Sequence, residues 1–249
     1  MTELQKRLVT GALLIAVVAL IAWVDNFYLT WAFLGVIYLF GFYEALRLYG
    51  MKEYNSLYFW AVALWLVAAF YPNPDDLFFV VALLFASYEA YTQDRDWKKF
   101  LPFLYPVASF LFLLSLYHDF GMEAMIWLVI VVASTDIGAY VVGRLIGRHP
   151  FCKTSPKKTW EGVVGGVVLA TFLGSWYALV LVDLPFGVVI SLLVSIASIF
   201  GDLFESYLKR RAGLKDSGDI LPGHGGVLDR VDGYLFAAPA MVVLLRGLL

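Results

Sequence analysis

The stretch Phe186 to Leu208, FGVVISLLVSIASIFGDLFESYL, decides the architecture. It carries no charge from Phe186 to Phe200. At 1.5 Å per helical residue it is long enough to cross the ~30 Å hydrocarbon core of a bilayer. Similar apolar segments occur over residues 8–24, 29–48, 57–71, 76–92, 100–117, 122–146, 161–182 and 231–248. Turn signals separate them, among them Asp25-Asn26, Tyr71-Pro72-Asn73-Pro74, His118-Asp119 and Asp183 to Pro185. The pattern predicts an all-α, polytopic integral membrane protein with about nine transmembrane helices.

Composition agrees. Of 249 residues, 61% are hydrophobic and 15% charged, against about 45–50% and about 25% in soluble domains. The mean hydropathy is +0.79. Short loops leave no room for a sizeable soluble catalytic domain, so any chemistry belongs to the spans and their loops. Cys152 is the only cysteine, which excludes an intrachain disulfide and a multi-Cys zinc site. Met1 to Arg7 precedes the first apolar run without a small-residue cleavage site, so that run is expected to be a retained span.

The basic residues orient the spans. Lys6 and Arg7 precede the first; Arg47 and Lys52, then Arg95, Lys98 and Lys99, flank the second and fourth connections. Arg144, Arg148, Lys153, Lys157 and Lys158 mark the sixth, and Lys209, Arg210, Arg211, Lys215 and Arg230 the eighth. Only Arg246 falls outside this alternation. Positive residues mark the cytoplasmic side. The N-terminus is therefore expected inside, with large cytoplasmic loops over residues 144–161 and 209–230. Residues 1–120 form an N-terminal region of about five spans, and residues 121–249 a catalytic region.

Ionisable residues within spans mark function by default. Asp136 lies in the sixth span and Asp202 in the eighth. Asp202, Ser206 and Lys209 share one helical face, as do Asp136, Tyr140 and Arg144. Asp229 and Asp232 stand at i and i+3 where the ninth span begins. Carboxylates converging from two spans suit Mg²⁺, which takes few hard oxygen ligands and binds substrate phosphates as well. The loops add cations and glycines: Ser155-Pro156-Lys157-Lys158-Thr159 in one, Gly213 to Gly226 in the other. Glycines let backbone N–H groups approach an anion. Together these point to phosphoryl or nucleotidyl transfer. Glu44 and Glu89, near inner span ends, are expected to snorkel or pair locally. His118 and His149 are expected to be solvated, since no metal-ligand pattern surrounds them. The Trp and Tyr residues are expected to anchor the interfaces.

Ser206-Tyr207-Leu208-Lys209-Arg210, four residues, Lys215-Asp216, then Leu221-Pro222-Gly223-His224-Gly225-Gly226-Val227-Leu228-Asp229-Arg230-Val231-Asp232 resembles the signature of phosphatidate cytidylyltransferases, or CDP-diacylglycerol synthases. That signature is S-x-[apolar]-K-R-x4-K-D, then L-P-x-H-G-G-[apolar]-x-D-R-x-D, and this chain matches it throughout. Asp136 to Gly143, and Ser155 to Gly162 as S-P-x-K-T-x-E-G, resemble two further blocks of the family. The resemblance covers the C-terminal half; residues 1 to about 120 resemble the family only as a run of spans.

The resemblance implies that CTP and phosphatidate give CDP-diacylglycerol and pyrophosphate. It also implies Mg²⁺ dependence with a potassium ion beside it, a homodimer in the cytoplasmic (inner) membrane among membrane lipid, and no nucleic-acid partner. Asp202, Asp229 and Asp232 would hold the metal. Lys209, Arg210, Lys215, His224 and Arg230 would neutralise phosphates. Ser155, Lys157, Lys158, Thr159, Ser206, Asp216, Gly225, Gly226 and Asp136 would line the substrates. A cytidylyltransferase for another lipid phosphate shares this headgroup chemistry. A CDP-alcohol phosphotransferase would carry D-G-x2-A-R-x8-G-x3-D-x3-D, which is absent. A transporter is the reading from another class, opposed by polar residues clustered on one side and by the lack of an internal repeat.

Overall fold

The computed structural model describes residues 3–51, 55–93, 96–221, 223 and 225–248. Lys52 and Arg95 of the charge pattern, and His224 of the glycine-rich loop, lie outside the described residues. The protein is all-α. Its helices are α1 (Glu3–Val24), α2 (Phe27–Leu48), α3 (Asn55–Ala68), α4 (Leu77–Thr92), α5 (Ala108–Ile146), α6 (Trp160–Ala178), α7 (Leu184–Arg211) and α8 (Leu228–Leu248). Among the described residues β-structure is limited to isolated bridges, Pro150 with Thr159 and Leu221 with Gly225.

Each apolar segment read from the sequence contains a helix. The Asp25-Asn26 turn works as expected: the Asn26 side chain caps α2 by accepting from the Leu29 N–H at 3.1 Å. The segments 100–117 and 122–146 meet in α5, whose helical geometry breaks at Gly121 (φ 75°, ψ −171°). An L-residue would be strained there.

Among the described residues, five helical stretches are long and apolar enough to cross a membrane: Phe27–Leu48, Trp97–Ile146, Trp160–Ala178, Leu184–Arg211 and Leu228–Leu248. Val9–Val24 and Ser56–Ala68 are shorter apolar helices. Large apolar side chains such as Ile15, Trp23, Leu83, Phe172 and Trp176 are exposed, as lipid-facing residues would be. The chain is a multi-pass integral membrane protein.

The helices form two compact units. One comprises Met1–His118 with Arg211–Arg230; the other comprises Asp119–Arg210 with Val231–Leu249. Aromatic packing builds the first: Tyr38 stacks on Trp65 at 4.7 Å, meets Phe110 edge-on, and donates to the Ala61 carbonyl at 2.9 Å. Small residues and hydroxyls build the second. A Cβ on Gly166 would run into the Thr135 carbonyl, so α6 lies directly against α5. Trp127 Nε1 donates to Ser191 Oγ at 3.0 Å, and the Thr135 and Ser195 hydroxyls bond at 2.8 Å, tying α5 to α7. Arg246, the one basic residue outside the alternation, bonds Asp119 through Nε and Nη2.

Candidate active site

The second unit gathers one group of charges. On α7, Ser206 donates to Asp202 at 3.3 Å, so the face expected from the i, i+4 spacing forms. Lys158 forms an ion pair with Asp202. A folded loop delivers that lysine. The Lys158 N–H donates to the Ser155 carbonyl at 3.0 Å, and the Phe151 N–H donates to the Lys158 carbonyl at 2.8 Å. Thr159 ends the loop as the N-cap of α6, accepting from the Gly162 N–H at 3.2 Å. Glu161 accepts from the Arg148 and His149 N–H groups and meets His149 Nδ1 at 2.6 Å. His149 is thus exposed, as expected, and also bonded.

On α8, Asp232 lies beside α7. Gly201 permits this, because a Cβ there would collide with the Asp232 carbonyl. Asp202, Asp136 and Lys209 are all close enough to act on the charge of Asp232. Lys209 Nζ sits 3.2 Å from Glu205 Oε1, and Glu205 is wholly buried. Glu205 has no role in the sequence reading. The signal was available, since it is an ionisable residue inside a span, three positions after Asp202. Asp136 is exposed on α5, and on its face Arg144 donates to the Tyr140 hydroxyl at 2.7 Å.

The first unit holds a second group, in the glycine-rich loop. Asp229 Oδ2 accepts from the Ser217 N–H at 2.9 Å, the Ser217 hydroxyl at 3.0 Å and the Gly226 N–H at 2.9 Å. The Leu221 N–H donates to the Gly225 carbonyl at 3.0 Å, and Gly225 has φ 85°. The Ser217 hydroxyl also reaches Glu44 at 2.9 Å. Glu44 departs from expectation. It neither snorkels nor pairs locally; it is fully buried and accepts from the Val227 and Leu228 N–H groups at 2.9 and 2.8 Å. Helix α2 carries the carboxylate inward, and the loop supplies the donors that make its burial tolerable. Glu89 behaves as expected, accepting from the nearby Asp96 N–H at 3.1 Å.

The remaining residues divide by exposure. Lys157, Arg210, Lys215, Asp216 and Arg230 are exposed; Ser155, Thr159, Ser206 and Lys209 are partly buried. Among the described residues no three or more His, Cys, Asp or Glu are gathered tightly enough to enclose a metal ion. Mg²⁺ does not require such a cage, because one or two carboxylates and the substrate phosphates commonly suffice. Asp202 and Asp232, on helices packed through Gly201, supply that donor chemistry.

The sequence profile of the cytidylyltransferase family matches residues 5–248. The chain belongs to the cytidylyltransferase family. Relatives named phosphatidate cytidylyltransferase bracket it. That of Helicobacter pylori strain J99 is 47% identical over 243 residues, covering 97% of this chain and 91% of the relative. That of Brucella suis is 38% identical, covering 98% and 93%. That of Thermotoga maritima is 35% identical, covering 99% and 97%. Family membership therefore reaches across the N-terminal spans, which the signature alone left as a mere run of apolar segments.

Proposed function

We propose that this protein is a phosphatidate cytidylyltransferase, making CDP-diacylglycerol and pyrophosphate from CTP and phosphatidate. The observation that carries this is the grouping of Asp136, Asp202 and Asp232 with Lys158 and Lys209 in a family member whose sequence is 61% hydrophobic. A phosphate oxygen of phosphatidate attacks the α-phosphorus of CTP. The bond from that phosphorus to the α–β bridging oxygen breaks, and its electron pair leaves with pyrophosphate. The attacking phosphate is already anionic, so no side-chain nucleophile is required. Catalysis is then positioning and charge neutralisation.

Asp202 and Asp232 would hold Mg²⁺; Asp229, which the family signature also assigns to the metal, has a carboxylate oriented by Ser217 and Gly226. A bound divalent cation supplies charge neutralisation at the phosphates. Lys158 and Lys209 bind phosphate oxygens from within the charged group. Lys157, Arg210, Lys215 and Arg230 draw the nucleotide from water. His224 belongs with them by the signature, and a potassium ion would share the same acidic surroundings. The alternation of basic residues supports about nine crossings, an N-terminus inside and a site on the cytoplasmic side of the inner membrane, where CTP is available. The break at Gly121 supports two crossings within α5. A homodimer completes the reading.

The test is incubation of purified protein with radiolabelled CTP, phosphatidate and Mg²⁺, followed by lipid extraction. Label in the organic phase that requires both phosphatidate and Mg²⁺ is the expected result. Folded protein that yields no labelled lipid would overturn phosphatidate as the acceptor.

A further inference from the structure

Glu44 lies in α2, outside the signature, and is 0% exposed. Its carboxylate accepts two backbone N–H groups more than 180 positions along the chain, those of Val227 and Leu228. These residues open α8. The first N–H groups of a helix have no partner within it, and negative charge is favoured there. Glu44 therefore caps α8 from a different helix. Two further observations show the fit. A Cβ on Gly218 or on Gly226 would strike the Glu44 carboxylate, so the loop closes on it as only glycine allows. The Ser217 hydroxyl stands 2.9 Å from Glu44 and 3.0 Å from Asp229, linking the two acids.

We propose that Glu44 is a positioning residue for cytidylyl transfer. It holds Ser217, Gly218, Gly226 and the first turn of α8 in the arrangement that receives the CTP phosphates. This rests on the reading that the loop serves CTP. The carboxylate itself touches no substrate; it fixes backbone donors and the direction in which Asp229 leaves the loop.

The experiment compares wild type with Glu44→Gln, which keeps the shape and one acceptor oxygen but loses the charge. CTP and phosphatidate are varied separately, and amide hydrogen exchange is followed at Val227 and Leu228. Glu44→Gln is expected to lower kcat/KM for CTP roughly 10- to 100-fold, the loss typical of a buried hydrogen bond to a charged group. The KM for phosphatidate stays unchanged, and exchange at Val227 and Leu228 accelerates. Gly218→Ala is expected to reproduce the CTP defect. Glu44→Asp, one methylene shorter, should recover part of that loss in the double variant. Wild-type kcat/KM for CTP in Glu44→Gln, or equal losses against both substrates, would overturn the proposal. If Glu44→Gln does not fold, the Gly218→Ala and Glu44→Asp pair decides, and no recovery counts against it. Wild-type protein that transfers no cytidylyl group would instead defeat the reading of function. Exchange at Val227 and Leu228 would then still decide whether Glu44 holds the loop, and unchanged rates would deny it.

Discussion

Two groups of carboxylates occupy the two units, and they are built on opposite logic. Glu44 and Asp229 are surrounded by donors: four N–H groups and one hydroxyl converge on them at 2.8–3.0 Å. Asp202 and Asp232 are instead set beside each other, with Lys158 and Lys209 as the nearby cations. The first arrangement spends its acids on shaping a loop. The second concentrates charge where helices α7 and α8 touch at a glycine. A fold gains nothing in stability from neighbouring carboxylates, which repel. Their presence in an apolar chain is what points to a cation and to phosphates.

The comparison breaks most completely if divalent cations prove dispensable. Chelation with EDTA is expected to abolish label transfer from CTP to lipid, and added Mg²⁺ to restore it. Transfer that persists in excess chelator would leave Asp202 and Asp232 without their assigned purpose.

Next in size are the acids themselves. Asp202→Asn and Asp232→Asn are expected to cost roughly 10³-fold in kcat or more, the scale at which lost electrostatic stabilisation is felt in active sites. Their melting in detergent should stay near that of wild type. Asp229→Ala should differ by losing activity and thermal stability together, because the Ser217 and Gly226 donors would be left unpaired. Asp202→Asn with near-normal turnover would place the chemistry elsewhere. Lys158→Met should fall between, at roughly 10- to 100-fold, since it removes one charged hydrogen-bond donor.

These residues also show how far the sequence could be read. The helices were legible because hydrophobic length and turn residues are local signals, and most of them start and stop close to these, whereas α5 runs through the His118-Asp119 signal and breaks at Gly121. Asp202 and Ser206 were legible because charge within a span is costly and helical spacing fixes which residues share a face, and Lys158 because it is a loop cation in a block that resembles the family. The pairing of Lys158 with Asp202 was not, because it joins a loop to α7 across more than 40 positions. Glu44 was misread for the same reason. At a span end, a glutamate that reaches water and one that caps a distant helix have identical local sequence. Only the packed loop, with Gly218 and Gly226 lying against the carboxylate, distinguishes them.

The smallest effect is expected at the other end of the second unit. Arg246 bonds Asp119 at 2.6 and 2.8 Å, far along α8 from Asp232. Geometry alone would rank this pair with the contact of Lys158 and Asp202. Its place argues otherwise: it stands fourteen positions along α8 from Asp232, and an ion pair partly open to solvent, with the Arg246 side chain 34% exposed, contributes about 0–1 kcal/mol to stability. Arg246→Ala should therefore shift the melting temperature by a degree or two at most, and less in high salt. Both kcat and the KM for CTP should remain at wild-type values. A loss of activity there with stability intact would mean that the charge of α8 acts along its length. The division between a shaping group and a reacting group would then be too simple.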